Sequence, residues 1–160
     1  MEIMYRPIQA GDNAETAAII RKALEEHGVA RPGTVYTDTT TDALYELFQT
    51  PGSTYWIAEG NGKMAGGCGV FPTAGLPEGC AELVKLYVSS DFRGQGIGFD
   101  LMELSSKSAK EMGYRQLYLE TLPELSRAVS LYERAGYRLL DKPLGESGHF
   151  ACDIWMLKDL

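Results

Sequence analysis

Apolar and polar residues recur along this chain in two rhythms, one near a period of 3.6 and one of period 2, and the switches between them outline its elements. A short apolar start at 4–8 is followed by Asp12, three residues before Glu15. That is a capping-box spacing with Asp in the usual Ser or Thr place, so a helix is expected to begin there. Ile20, Ala23, Leu24 and His27 form a stripe at helical spacing, and Gly28 supplies a left-handed stop. Pro32 and Gly33 read as loop. Thr40 or Thr41 is expected to cap a second helix carrying Leu44, Leu47 and Phe48, closed by Pro51 and Gly52.

The rhythm then changes. Residues 54–58 are mostly β-prone, Asn61 and Gly62 follow, and 64–71 is apolar again, which predicts a two-stranded hairpin. A further strand at 81–88 alternates Glu82, Val84, Leu86 and Val88 on one face with Ala81, Leu83, Lys85 and Tyr87 on the other, unless a bulge breaks the parity. Residues 89–98 are glycine-rich and run into a helix in which Ile97, Leu101, Leu104, Ser108 and Met112 are expected to share one face, ended by Gly113. A strand at 115–120, a helix at 123–135 stopped by Gly136, and closing strands at 137–140 and 150–157 complete the pattern. Helices interspersed with hairpins predict an α+β fold with a mixed sheet rather than a doubly wound parallel one. No internal repeat, low-complexity tract or interdomain linker divides the sequence, so residues 1–160 read as one domain.

Composition narrows the possibilities further. Of 160 residues, 44% are hydrophobic and 23% charged, which fits an ordinary globular chain and neither a disordered nor a fibrous one. Lys plus Arg number 15 against 22 Asp plus Glu, a formal charge of −7 that opposes nonspecific capture by nucleic acid or an anionic membrane. An anionic ligand must therefore be held locally. Cys68, Cys80 and Cys152 are widely spaced and include no metal-finger pair, which suits reduced thiols and calls for no metal. The first residues lack a charged and then apolar leader, and no apolar run approaches the roughly 18 residues of a membrane span. The expected location is cytoplasmic.

The candidate chemistry lies in Arg93-Gly94-Gln95-Gly96-Ile97-Gly98, between an apolar strand and an amphipathic helix. Glycines let a backbone approach a ligand closely, and successive amides at a helix N-terminus point donors at negative charge. A pyrophosphate is the natural guest. No Gly-Lys-Ser/Thr follows, which excludes a Walker loop, and Phe99 stands where the dinucleotide fingerprint requires glycine.

The run Leu86-Tyr87-Val88, then Asp91-Phe92-Arg93-Gly94-Gln95-Gly96-Ile97-Gly98, resembles the acetyl-coenzyme A loop of the GCN5-related N-acetyltransferase (GNAT) family. Downstream, Ala128, Leu131-Tyr132-Glu133 and Ala135-Gly136-Tyr137 resemble that family's late helix and the strand start behind it. The resemblance covers roughly residues 4–157 and is sharpest at 82–137. It implies a GNAT-like acyl-CoA N-acyltransferase fold and acetyl-CoA as donor substrate. It further implies that backbone groups of Leu86, Tyr87 and Val88 pair with the pantetheine amides while residues 93–98 cradle the pyrophosphate. Ala128 and Tyr132 would complete the donor site. Where many members carry a pantetheine-binding Asn, this chain has Leu125, with Ser126 as a possible substitute.

An acceptor amine must be neutral to attack the thioester. With an ordinary pKa of ~10.4, deprotonation at pH 7 costs about 4–5 kcal/mol, which favours a base or a water chain. Glu82, on the strand entering the loop, is the first candidate and Glu120 the second, with a surface or salt-bridging role as the alternative for either. The resemblance places Tyr132 near the thioester sulfur. A phenol of pKa ~10 is a weaker acid than a thiol near ~8.5, so hydrogen-bond donation to the leaving sulfur is expected, and full proton transfer requires a lowered pKa.

His149 could stand at the mouth of the acceptor pocket, and His149, Cys152 and Asp153 form no complete metal set. Arg31, Thr34, Tyr36 and Asp38 fall in the region that covers the acceptor in the family. The expected acceptor is a small-molecule or amino-acid-like amine. A protein amine, a noncatalytic acyl-CoA sensor, and a homodimer remain open alternatives, and no nucleic acid or membrane partner is expected.

Overall fold

The computed structural model describes residues 2–160. Its strands are β1 (Ile3–Pro7), β2 (Thr54–Gly60), β3 (Lys63–Phe71), β4 (Cys80–Val88), β5 (Gln116–Thr121), β6 (Arg138–Leu139) and β7 (Ile154–Asp159). Its α-helices are α1 (Asn13–Glu26), α2 (Leu44–Leu47), α3 (Ile97–Glu111) and α4 (Ser126–Arg134). The strands form one sheet in the order β1-β2-β3-β4-β5-β7-β6. Every neighbouring pair is antiparallel except β4 and β5. That is the mixed, mostly antiparallel α+β sheet expected from the pattern.

The hairpin between β2 and β3 turns at Asn61 and Gly62, both with positive φ (52° and 74°), as the two-residue loop requires. Strand alternation then divides the core between the two sheet faces. Tyr55 and Ile57 join Ile20 and Leu24 of α1 on one side, while Trp56 and Ala58 join Ile97, Leu101 and Met102 of α3 on the other.

Several boundaries differ from the sequence expectation. Asp12 is the N-cap residue of α1, as expected, but its carboxylate does not cap the helix; it is taken by Arg6 and by the backbone amide of Gln9, and the capping box belongs to the short 3-10 turn ahead of α1. The second helix, expected from Thr40 or Thr41 onward, splits into a 3-10 turn at Thr39–Asp42 and the four residues of α2, because Ala43 leaves helical geometry at φ −133°, ψ 45°. On α3 the buried face comprises Ile97, Leu101, Met102, Ser105, Ser106 and Ala109, so the stripe is rotated from the expected one and Met112 is exposed. Small residues at 105, 106 and 109 let this helix lie close to the sheet, a signal that an apolar pattern does not register. The last strand begins at Ile154 rather than 150, which leaves His149, Phe150 and Cys152 in the loop before it. Among the described residues no helix is long and apolar enough to cross a membrane.

Candidate active site

The site is built on a separation of two strands. β4 and β5 pair in parallel only through Cys80, Ala81 and Glu82 opposite Gln116, Leu117 and Tyr118. Beyond that point β4 continues to Val88 and β5 to Thr121 without pairing with each other, and a cleft of about 560 Å³ occupies the opening. A β-bulge causes the divergence. The register of β3 against β4 shifts between Gly67 and Gly69, and Lys85 takes a left-handed φ of 55°. The Tyr55 hydroxyl crosses beneath β3 and donates to the Lys85 carbonyl oxygen at 2.7 Å. Gly67 makes room for that ring, since a Cβ there would lie 2.4 Å from it.

At one end of the cleft is the glycine loop. Gly94 and Gly96 both have φ of 79°, and Gly96 is the N-cap of α3. The first amides of a helix have no intrahelical acceptor, so this end presents donors to the cleft. Arg93 spends its side chain on the protein: Nε donates to the Val88 carbonyl at 3.1 Å and Nη1 to Glu26 at 2.9 Å, tying the loop to β4 and α1. Arg127 and Arg134 of α4 also line the cleft, and among the described residues neither pairs with a carboxylate. Of the expected donor-site residues, Leu86, Tyr87, Val88, Arg93, Gly94, Gly96, Ile97, Gly98, Ala128 and Tyr132 line it. Gln95 and Ser126 are exposed and lie outside that lining, whereas Leu125 faces it.

The other end carries the titratable groups. Glu82 is 3% exposed and accepts a hydrogen bond from Thr73 Oγ1 at 2.5 Å. Burial pushes its carboxyl up to about 7, with the Thr73 bond opposing and the charge of Glu120 adding to the rise. Glu120 accepts from Tyr118 Oη at 2.7 Å on one oxygen and from Ser147 Oγ on the other. Both oxygens of Glu120 are thus engaged in holding the 141–153 loop, and Tyr118 Oη also accepts from the Leu144 amide at 3.0 Å.

That loop brings His149 to Asp38. Nε2 lies 2.7 Å from Asp38 Oδ2, and Nδ1 lies 3.8 Å from Glu120 Oε1. Lys85 Nζ, nearly buried by the bulge, is 3.4 Å from the same Asp38 oxygen. Burial opposes ionisation of both His149 and Asp38, but their mutual hydrogen bond and charge prevail, raising the imidazole and lowering the carboxylate. The pairing of Asp38 with His149, 111 residues apart, was invisible in sequence, although each residue separately was a candidate. Lys85 and Thr73 were missed altogether, because only the bulge and the register of β3 bring them to the cleft.

Tyr132 also lines the cleft, 8% exposed, its ring edge-on to Tyr137 at 5.9 Å. Among the described residues its hydroxyl has no hydrogen-bond partner, and burial raises its pKa above the ordinary phenol value. A raised pKa leaves it suited to hydrogen-bond donation rather than full proton transfer. Cys152 also lines the cleft; burial pushes its thiol up to about 12, with Glu120 and Glu82 adding to the effect, so it is no ready nucleophile.

These features can be set beside known proteins. The Acetyltransferase (GNAT) family model matches residues 19–137. The chain is 36% identical over 158 residues to the uncharacterized N-acetyltransferase YjgM of Escherichia coli K12, spanning 98% of this chain and 95% of that protein. A GNAT-family acetyltransferase from Staphylococcus aureus Mu50 superposes with a TM-score of 0.83 at 17% identity, covering 99% of each chain. The acetyltransferase yncA of Salmonella typhimurium, solved with its cofactor acetyl-CoA, superposes with a TM-score of 0.75 at 19% identity over 99% of this chain and 94% of that one. The match of the family model, together with the E. coli relative, establishes that the chain belongs to the GNAT family of acetyl-CoA-dependent N-acetyltransferases.

Proposed function

We propose that the protein transfers acetyl from acetyl-CoA directly to the amine of a small-molecule or amino-acid-like acceptor. The observation that carries this reading is the opening between β4 and β5, lined together by the glycine loop, Glu82 and Tyr132. The pantetheine arm lies along Leu86, Tyr87 and Val88, whose backbone groups β5 leaves free, and its pyrophosphate rests on the amides of 93–98. Arg127 and Arg134 are placed to meet the remaining phosphate charge. Leu125 gives an apolar contact where other family members offer an amide.

The acceptor enters from the side of Asp38 and His149. Glu82, with a pKa near neutrality, is matched to the task of taking a proton from an amine at pH 7. The amine nitrogen attacks the thioester carbon, the C–N bond forms, and the C–S bond breaks with Tyr132 donating a hydrogen bond to the departing sulfur, which takes up the second proton lost by the nitrogen. Glu120, with both oxygens accepting hydrogen bonds from Tyr118 and Ser147, is assigned to supporting the loop, and Glu82, with one oxygen so engaged, to the base.

The test is thiol release from acetyl-CoA with a panel of primary amines comprising amino acids, a polyamine, an arylalkylamine and a peptide N-terminus. Turnover with a small amine supports the reading. Acetyl-CoA binding without turnover across the panel would favour a sensor, and turnover confined to the peptide would favour a protein acceptor.

A further inference from the structure

Acetylation of an ammonium acceptor releases one net proton. The nitrogen loses two, the thiolate sulfur takes one, and the other must reach solvent before the next turnover. With Glu82 as the base, that proton is left on a carboxyl group only 3% exposed. This inference rests on that assignment of Glu82 and asks how the carboxylate is emptied.

Besides the Lys85 ammonium, which acts on Glu82 through its charge, three groups lie beside Glu82. Thr73 donates its own hydroxyl proton to Glu82 Oε1, and Glu120 has both oxygens engaged by Tyr118 and Ser147. The third is His149. A carboxylate oxygen of Glu82, one of Glu120 and a ring nitrogen of His149 all lie within 4.8 Å of one another, a separation that one water bridges with two ordinary hydrogen bonds of roughly 2.8 Å. The imidazole's other nitrogen is bonded to Asp38, whose side chain is 27% exposed against 11% for His149 itself. The ring therefore joins the buried carboxylate to one that reaches solvent. Lys85, at 3.4 Å, favours the ionised form of Asp38, so a proton arriving there passes on to water.

We propose that His149 relays the proton from Glu82 to solvent by way of Asp38. The O–H bond on Glu82 breaks as an N–H bond forms at Nδ1 through one water, giving an imidazolium paired with Asp38. The Nε2–H proton then leaves to water at the exposed edge of Asp38, and exchange with water restores the starting tautomer. No oxidant, metal or further reactant enters. The groups facing the ring are Asp38, Lys85, Glu82 and Glu120, and together they offer one entry side and one exit side.

The test uses His149→Gln, whose amide can keep the bond to Asp38 but cannot relay, with His149→Ala as the variant for rescue. The probes are acetyl-CoA and the panel amine that turns over fastest, in dilute buffer near pH 7 with an indicator dye. In the parent, the dye should report proton release in step with the first acetyl transfer. In His149→Gln the first transfer should stay within about threefold of the parent, while dye response lags and steady-state turnover falls at least tenfold. Added imidazole should restore turnover in His149→Ala.

Synchronous proton release and parental turnover in His149→Gln would overturn the relay. So would equal loss of first-turnover and steady-state rates in both variants without imidazole rescue, since that marks a loop-positioning role. Glu82→Gln is the separate control. If it leaves the first transfer at the parental rate, the base assignment fails; if it slows that transfer while His149→Gln is silent, only the relay fails.

Discussion

Tyr55 Oη lies 2.7 Å from the carbonyl oxygen of Lys85, and this buried bond fixes the one non-glycine residue of β4 with positive φ. The bond runs from β2 across the intervening β3 to β4, the strand that opens the cleft, so a core tyrosine outside the cleft lining holds the bulge in place. The bulge turns Leu86, Tyr87 and Val88 toward the cleft and lets the Lys85 ammonium approach Asp38.

Tyr55→Phe keeps the ring against Phe48 and deletes the donor, leaving a buried carbonyl unsatisfied. Stability should fall by about 1–3 kcal/mol in urea denaturation. The Michaelis constant for acetyl-CoA should rise as the bulge relaxes. An unchanged constant in a destabilised variant would separate the bulge from donor binding.

Gly96→Val tests the loop. A Cβ at Gly96 meets no protein atom, yet its φ of 79° is one that a β-branched residue adopts only with strain, and the side chain would enter the space in front of the helix amides. CoA affinity measured by calorimetry should fall at least tenfold in a folded variant. Parental affinity would displace the pyrophosphate from this loop.

Much of this architecture was legible in the sequence, for reasons that differ by element. The β2–β3 hairpin announced itself because Asn61 and Gly62 are the chemistry its turn needs, and α1 because its apolar stripe is local. The glycine loop was legible because conformational demands restrict its residue types. The acceptor end was not. Asp38, Thr73, Lys85, Glu120 and His149 come from five separate segments, and only the register of the sheet and the anchored 141–153 loop bring them together. Nor did the sequence show that Glu120 is occupied, because its partners Tyr118 and Ser147 are polar residues with no pattern of their own.

Glu82 links activity and stability to pH with opposite signs. As a base it must be ionised, so acceptor turnover should climb through about pH 7, and Glu82→Gln should lower the rate near neutrality, with part of the loss recovered at higher pH as free amine accumulates. For stability, its folded pKa is raised above the unfolded value of about 4.5. The stabilising contribution is therefore complete below that value and lost as pH rises through about 7. Urea melts from pH 5 to 8 should show Glu82→Gln gaining on the parent by about 2–3 kcal/mol, most of the span between the two pKa values. A gap that stays flat with pH would mean the carboxyl ionises freely in the fold.

Tyr132→Phe addresses the leaving group. The substitution keeps the ring packed against Tyr137 and inside the core cluster on the α3 side of the sheet, so folding and most donor affinity should survive. It removes a hydroxyl that has no partner among the described residues, on a residue that lines the cleft with the loop and Glu82. Because burial raises the phenol's pKa, the hydroxyl stays protonated across the working range and its contribution should be independent of pH. Such a bond strengthens as negative charge develops on sulfur, so it should appear in kcat and hardly in the affinity for acetyl-CoA. Single-turnover transfer by Tyr132→Phe should be slower by about 10²-fold, at the lower end expected for acid–base groups, with an unshifted pH profile. Parental rates in a stably folded variant would make Tyr132 a packing residue with no hydrogen bond to the departing thiolate.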